Sequence, residues 1–168
     1  MALIVENGTG RADAESYASV ADADAYHAGR GNAQWSALSI ERREQLLRTA
    51  TEYMGVYAGS LSGRRQVQQQ ALDWPRTGAE AHDFDVPEGL VPPAVRNACA
   101  VLALKAASGP LVPTAGGLVK KRQKLGPLEV EYQDSAATTA LHPAVNALLA
   151  PFFGGAGDNP FMAPLERS

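Results

Sequence analysis

The strongest hydrophobic period in the chain runs through Leu46, Leu47, Ala50, Tyr53, Met54 and Tyr57. Spacings of three and four residues put these side chains on one face of a helix. It begins at Ser39, carries Glu41 in its first turn and breaks down between Gly59 and Gly63. A shorter stripe, Val20, Ala23 and Tyr26 or His27, precedes it. Ser19 is its N-cap, Asp22 completes a capping-box-like arrangement at the positive helix end, and Gly29 and Gly31 stop it. A third helix opens at Pro92-Pro93, buries Val95, Cys99, Leu102 and Ala106, and stops at Gly109-Pro110. A last one starts at Pro143 with Val145, Leu148 and Leu149, and Pro151 brings its end close.

Other stretches break the helical period. Residues 3–5 form a short strand or an arm, followed by a Gly8-Thr9-Gly10 loop, and Trp35 covers the junction between the first two helices. Residues 78–89 read as an acidic loop. Between 118 and 133, the run from Val119 to Leu125 meets the run from Leu128 to Tyr132 across Gly126-Pro127. A hairpin in that register sets Lys124 opposite Glu129 and Arg122 opposite Glu131, pairings that support it. It is too polar to be central. The segment from Gly154, with Asn159-Pro160-Phe161 and Pro164, is an extended tail that needs another surface to hold it.

The helical halves are joined by Gln70-Ala71-Leu72-Asp73-Trp74-Pro75-Arg76-Thr77-Gly78. A residue before proline is pushed toward extended backbone, so Trp74 closes a short extended segment with its indole turned inward. Asp73 and Arg76 flank the ring, able to pair with each other or with backbone groups, and Gly78 reverses the chain. Trp74, Pro75 and Arg76 therefore read as a structural clamp fixing the long second helix against the third. The expected architecture is mainly α: a small bundle of about four helices with one β-hairpin projection. It comprises one domain over 1–153 (hairpin about 118–133) and an extended tail over 154–168.

Composition narrows the functional classes. With 168 residues, 45% of them hydrophobic, the chain supports one core and leaves little for a second. A net charge of −3 does not suit a protein that coats nucleic acid. Cys99 is the only cysteine, which excludes an internal disulfide and a cysteine-based zinc cluster and fits a buried free thiol. The first residues lack the pattern of a signal peptide, and the longest apolar run, Ala98 to Leu104, is too short to span a bilayer. The expectation is a soluble protein made in a cytoplasm, with no membrane partner.

Candidate chemistry is sparse. His82, Asp83 and Asp85 are potential metal ligands, but no helical pair or metal-ligand spacing accompanies them, and a solvated acidic loop explains them better. Gly154-Gly155-Ala156-Gly157 shares only glycine content with a phosphate loop, because no strand precedes it and no lysine closes it. No serine or cysteine has a nucleophile setting, and Asp22 and Asp24 read as helix-start charges. No catalytic residue, metal or cofactor is expected, and the chain does not read as an enzyme. The Lys120–Lys124 run is suited either to phosphates, to pairing with Glu129 and Glu131, or to a partner subunit through an exposed strand edge.

Several motifs share one likeness: Met1 to Gly10, Ala14-Glu15-Ser16-Tyr17, Ala21 to Tyr26 with Gly31-Asn32 and Trp35, Gln70 to Gly78, and Lys124 to Tyr132. In this order they resemble small proteins from tailed-phage structural gene clusters. Those are often labelled DnaT-like single-stranded-DNA-binding proteins and are similar to head–tail connector, or adaptor, proteins. The likeness spans almost the whole chain. It implies a homo-oligomeric ring, usually twelvefold, in the neck of a virion, made in a host bacterial cytoplasm. Such a ring docks on the portal protein, extends the channel through which double-stranded DNA passes, and presents a platform for a stopper or tail-completion protein. The expected subunit or portal interface comprises Lys120, Lys121, Arg122, Lys124, Leu125, Leu128, Glu129, Glu131, Tyr132 and Phe161. The alternative is a single-stranded-DNA-binding replication accessory protein. Single-strand binders interleave basic grooves with aromatic platforms, and Lys120–Lys124 has only Tyr132 nearby, which favours the adaptor.

Overall fold

A computed structural model of the protein describes residues 2–111 and 142–154. The fold is mainly α. Five helices, α1 (Val20–Ala28), α2 (Ala33–Ser36), α3 (Ile40–Met54), α4 (Pro93–Ser108) and α5 (Pro143–Leu149), surround one core. Four lie where the periodicity puts them. The single-turn α2 falls in the connection where only Trp35 was singled out.

Local chemistry explains the helix ends. Ser19 Oγ accepts from the Asp22 backbone N–H at 3.0 Å, while the Asp22 carboxylate accepts from the Ser19 N–H at 3.0 Å, so the capping box is complete. Ser39 caps α3 by accepting from the Arg42 N–H at 3.2 Å. Prolines occupy the first turns of α4 and α5, where a missing N–H costs nothing.

The centre is α3 packed on α4. From α3 come Leu46, Leu47, Ala50, Thr51 and Met54; from α4 come Val95, Ala98, Cys99, Leu102 and Ala103. Enclosing Leu47 and Leu102 completely contributes about 2 kcal/mol each. α1 covers α4 through Ala23 and His27, and α5 covers it through Val145 and Leu149. Tyr57, on the 3-10 turn Gly55–Ser60 that extends α3, donates its hydroxyl to Asn146 Oδ1 at 2.7 Å. Burial raises the pKa of that phenol to about 12, so the bond persists at neutral pH.

The amino-terminal segment is an arm with a single parallel bridge, Val5 to Ser16. The Glu6 carboxylate, almost fully buried, accepts from the N–H groups of Gly8 (2.8 Å), Gly10 (3.0 Å) and Arg11 (2.8 Å). Gly8 sits at φ +97° with the Gly89 carbonyl oxygen 1.9 Å from where a Cβ would stand, so only glycine fits.

Two small antiparallel pairs follow α3. β1 (Arg64–Arg65) pairs with β2 (Arg76–Thr77), and β3 (Glu80–Ala81) with β4 (Phe84–Asp85). The second pair corrects the expectation of a loop over 78–89. His82 (φ 53°) and Asp83 (φ 66°) both take the left-handed conformation of a tight two-residue hairpin turn. Asp and His visit that region more readily than most residues, which makes the turn affordable without glycine.

The hairpin expected over 118–133 and all ten of its companion interface residues lie outside the described residues: Lys120, Lys121, Arg122, Lys124, Leu125, Leu128, Glu129, Glu131, Tyr132 and Phe161. At the start of the expected tail, Gly154 donates its N–H to the Ser60 carbonyl at 2.9 Å, beside an isolated bridge between Leu61 and Phe153.

Candidate functional site

Trp74 is 1% exposed, the Trp74–Pro75 peptide is cis, and the indole meets the Phe152 ring edge-on with centroids 5.4 Å apart. Phe152 belongs to the 3-10 turn Ala150–Phe152 that continues α5. The indole N–H has no hydrogen-bond partner among the described residues. Tyr17 holds the segment from the other side, its hydroxyl accepting from the Asp73 N–H at 2.9 Å. Burial pushes the Tyr17 phenol pKa up, so it stays neutral.

Asp73 and Arg76 do not join their charged groups to each other. The Asp73 carboxylate takes Arg65 at 2.8 Å. The Arg76 guanidinium is buried and donates to four carbonyls: Ser62 (2.7 Å), Gly63 (2.7 Å), Leu61 (3.2 Å) and Asp73 (3.3 Å). Those groups belong to the end of the 3-10 turn and the entry to β1, so one side chain fixes the exit from α3 to β2. Burial lowers the guanidinium pKa, and Asp73 and Tyr17 act against that shift.

Buried polar groups elsewhere are bound internally. Cys99 Sγ lies 3.3 Å from Thr51 Oγ1 and 3.8 Å from Ser16 Oγ, and burial pushes the thiol pKa up. Its neighbours are hydroxyls and carbonyls with no base beside it, an arrangement that packs a thiol without activating it. His27 Nε2 faces the Ala100 carbonyl at 3.0 Å and therefore carries the proton; Nδ1 accepts from Asn32 Nδ2 at 3.0 Å. Burial lowers its pKa, with Arg30 acting in the same direction. Asp24 accepts from Trp35 Nε1 at 2.6 Å and from Arg43 at 3.0 Å, tying α1, α2 and α3 together. Among the described residues, no group of three or more His, Cys, Asp or Glu is placed to hold a metal ion, and no helix is long and apolar enough to cross a membrane.

The surface charges divide sharply. Arg11, Arg43, Arg48, Arg65 and Arg96 pair with carboxylates, and Arg76 is consumed by carbonyls. Arg30, Arg42, Arg64 and Lys105 have no carboxylate partner among the described residues, and of these Arg30 and Lys105 line a cleft of about 280 Å³ beside Tyr26, Val101 and Leu104. The Arg30 guanidinium stacks 3.6 Å from the Tyr26 ring centroid. Phe84 is 76% exposed, the most exposed large apolar side chain among the described residues. Around it Glu80, Asp83, Asp85 and Glu88 are exposed and have no ion-pair partner among the described residues.

Sequence reasoning passed over Phe84, Arg30 and Lys105. A lone phenylalanine between two aspartates, in a stretch with no other large apolar residue from Glu80 to Asp85, was the available signal. For Arg30 and Lys105 none was available, since cations at helix C-termini ordinarily complement the helix dipole.

Residues 1–168, the whole chain, match the model of a family described as "Putative DnaT-like ssDNA binding protein". The chain belongs to that family. No curated protein and no solved structure matches it.

Proposed function

With membership of that family as the premise, we propose that the chain is a structural virion protein, a head–tail adaptor rather than an enzyme. In this reading copies form a ring under the portal protein, twelvefold as in the adaptors that the sequence resembles. The ring extends the channel for double-stranded DNA without sequence-specific binding and docks the stopper or tail-completion protein. The subunit is made in the host bacterial cytoplasm and ends in the neck of the particle, where it serves genome packaging.

The observation that carries this reading is how the described surface uses its charges. Among the described residues, six of the ten cations are taken by carboxylates or carbonyls of the chain, while the prominent exposed aromatic, Phe84, sits among carboxylates. A stacking platform for single-stranded DNA needs cations beside the ring, and carboxylates there repel phosphate. An apolar side chain on a small projection with an acidic rim suits protein contact instead. Mixing the purified chain with portal rings and imaging the product tests the proposal. A ring stacked on the portal is expected; absence of portal binding together with tight, salt-sensitive binding to single-stranded DNA overturns it.

A second reading, a single-stranded-DNA-binding replication accessory protein, is favoured by the family's description and by the Lys120–Lys124 run. Replacing Lys120, Lys121, Arg122 and Lys124 with alanine then abolishes DNA affinity, whereas on the adaptor reading portal docking survives if those residues only pair within the hairpin.

A further inference from the structure

Two sets of exposed groups without an ion-pair partner among the described residues lie at opposite ends of α3; in one of them Arg30 donates to the Tyr26 carbonyl at 3.1 Å and keeps its charge unneutralised. Hydrogen bonds join Ser62, just beyond the 3-10 turn that continues α3, to Glu80 of the β3–β4 hairpin: Ser62 Oγ accepts from the Glu80 N–H at 3.0 Å. The hairpin therefore sits at the C-terminal end of α3. The cleft holding Arg30 and Lys105 also includes Gln34 of α2, and α2 is fixed to the first turn of α3 by Arg43, which donates to the Ser36 carbonyl at 2.8 Å. The cleft thus lies toward the N-terminal end. α3 has 15 residues, a separation of about 22 Å along its axis.

The two ends match in shape and charge. Phe84 projects from the hairpin with Asp83 and Asp85 on either side, and the side chains of all three are exposed and without a polar or ring partner among the described residues. The cleft offers Tyr26, Val101 and Leu104 as an apolar lining under Arg30 and Lys105. A benzene-sized ring needs about 150 Å³, and the cleft provides about 280 Å³. Because the ends are far apart, one chain cannot fill its own cleft.

We infer that Phe84 of one copy inserts into the Tyr26–Val101–Leu104 cleft of the next, with Asp83 and Asp85 meeting Arg30 and Lys105. The occupant is a second copy of this chain. Such a contact is heterologous: each subunit offers a different surface to each neighbour, and the contact closes into a ring when its rotation allows. The inference rests on the ring reading above and supplies the contact from which such a ring is built.

The test uses the full chain and measures assembly mass against concentration, with portal docking scored in parallel. Wild type is expected to form rings. Phe84→Ala, and separately Arg30→Glu with Lys105→Glu, should raise the assembly midpoint about thirtyfold or more, as loss of a central anchor does. Both sites are at the surface, so melting temperatures should stay at the wild-type value. Mixing the two variants should give one-to-one dimers and nothing larger, because one intact hairpin meets one intact cleft. Combining Asp83→Lys and Asp85→Lys with Arg30→Glu and Lys105→Glu in one chain should restore rings. Wild-type assembly by both variants overturns the interface while leaving portal docking to uphold the adaptor reading. A wild type that neither assembles nor docks overturns both. If the Arg30→Glu and Lys105→Glu pair instead abolishes oligothymidylate binding with assembly unchanged, the cleft is a phosphate site and the interface falls.

Discussion

Trp74 to Arg76 and the hairpin at Phe84 belong to one continuous stretch, yet they treat polar groups in opposite ways. In the first, Arg76 spends its whole guanidinium on carbonyls and Asp73 spends its carboxylate on Arg65. In the second, Asp83 and Asp85 have no cation partner among the described residues, and an aromatic ring stands in water. A satisfied buried group is tied to the fold, because its loss strands the partners it leaves behind. An unsatisfied exposed group costs the isolated chain little and remains available to a neighbour. The contrast separates residues whose loss unfolds the protein from residues whose loss leaves it folded and alone.

The largest effect should come from Trp74→Ala. Truncating a fully enclosed indole against Phe152 is expected to cost about 3–5 kcal/mol in denaturant unfolding. Assembly then fails through misfolding. A variant that keeps the wild-type melting temperature yet cannot join a ring would move Trp74 to an interface and end its reading as a clamp. Arg76→Lys comes next, at about 2–3 kcal/mol, because one ammonium cannot cap carbonyls spread over Leu61, Ser62 and Gly63. Equal stability of the lysine variant would show that the fork geometry is immaterial.

Sequence made the helices legible because their signals are local. Ser19 with Asp22, Ser39, Pro92-Pro93 and Pro143 each act within a turn of their own position, and each marks a helix start in the structure. The contacts of the Trp74 segment were not legible: Phe152 and Tyr17 lie far away in the chain, and no local pattern names them. The β3–β4 hairpin was hidden for a different reason. Its turn is His82-Asp83, where hairpin signatures look for asparagine or aspartate followed by glycine, and its strands are only two residues long. Arg30 and Lys105 come together only because α1 and α4 end side by side, a tertiary fact.

A moderate effect belongs to His27, which lies between these extremes: buried like Trp74 but titratable. Both its nitrogens are used in the neutral form, and protonating Nδ1 would aim a second N–H at the Asn32 amide donor. Its folded pKa is lowered below the ordinary 6.5, mainly by burial and further by Arg30, with the Ala100 carbonyl and Asp24 opposing. The unfolded chain therefore binds more protons than the folded one below about pH 6.5. The stability His27 contributes is complete above that pH and is lost as pH falls toward the folded value. Thermal melts between about pH 7 and 5 should show a declining midpoint, with a shallower decline in His27→Gln. An identical slope in that variant would assign the pH dependence to other groups.

The smallest effect on stability should be that of Phe84→Ala, and it completes the comparison. The ring is 76% exposed, so truncation removes almost no buried area, and the change in unfolding free energy should stay within about 0.5 kcal/mol. Removing an exposed phenylalanine from a strand of two residues leaves the His82-Asp83 turn, whose backbone geometry does not depend on it. Far-UV circular dichroism and the melting midpoint should match wild type while assembly mass falls. A loss of several kcal/mol would mean that Phe84 packs within its own chain in solution. The distinction between a spent interior and an unspent surface would then fail at the residue that displays it most clearly.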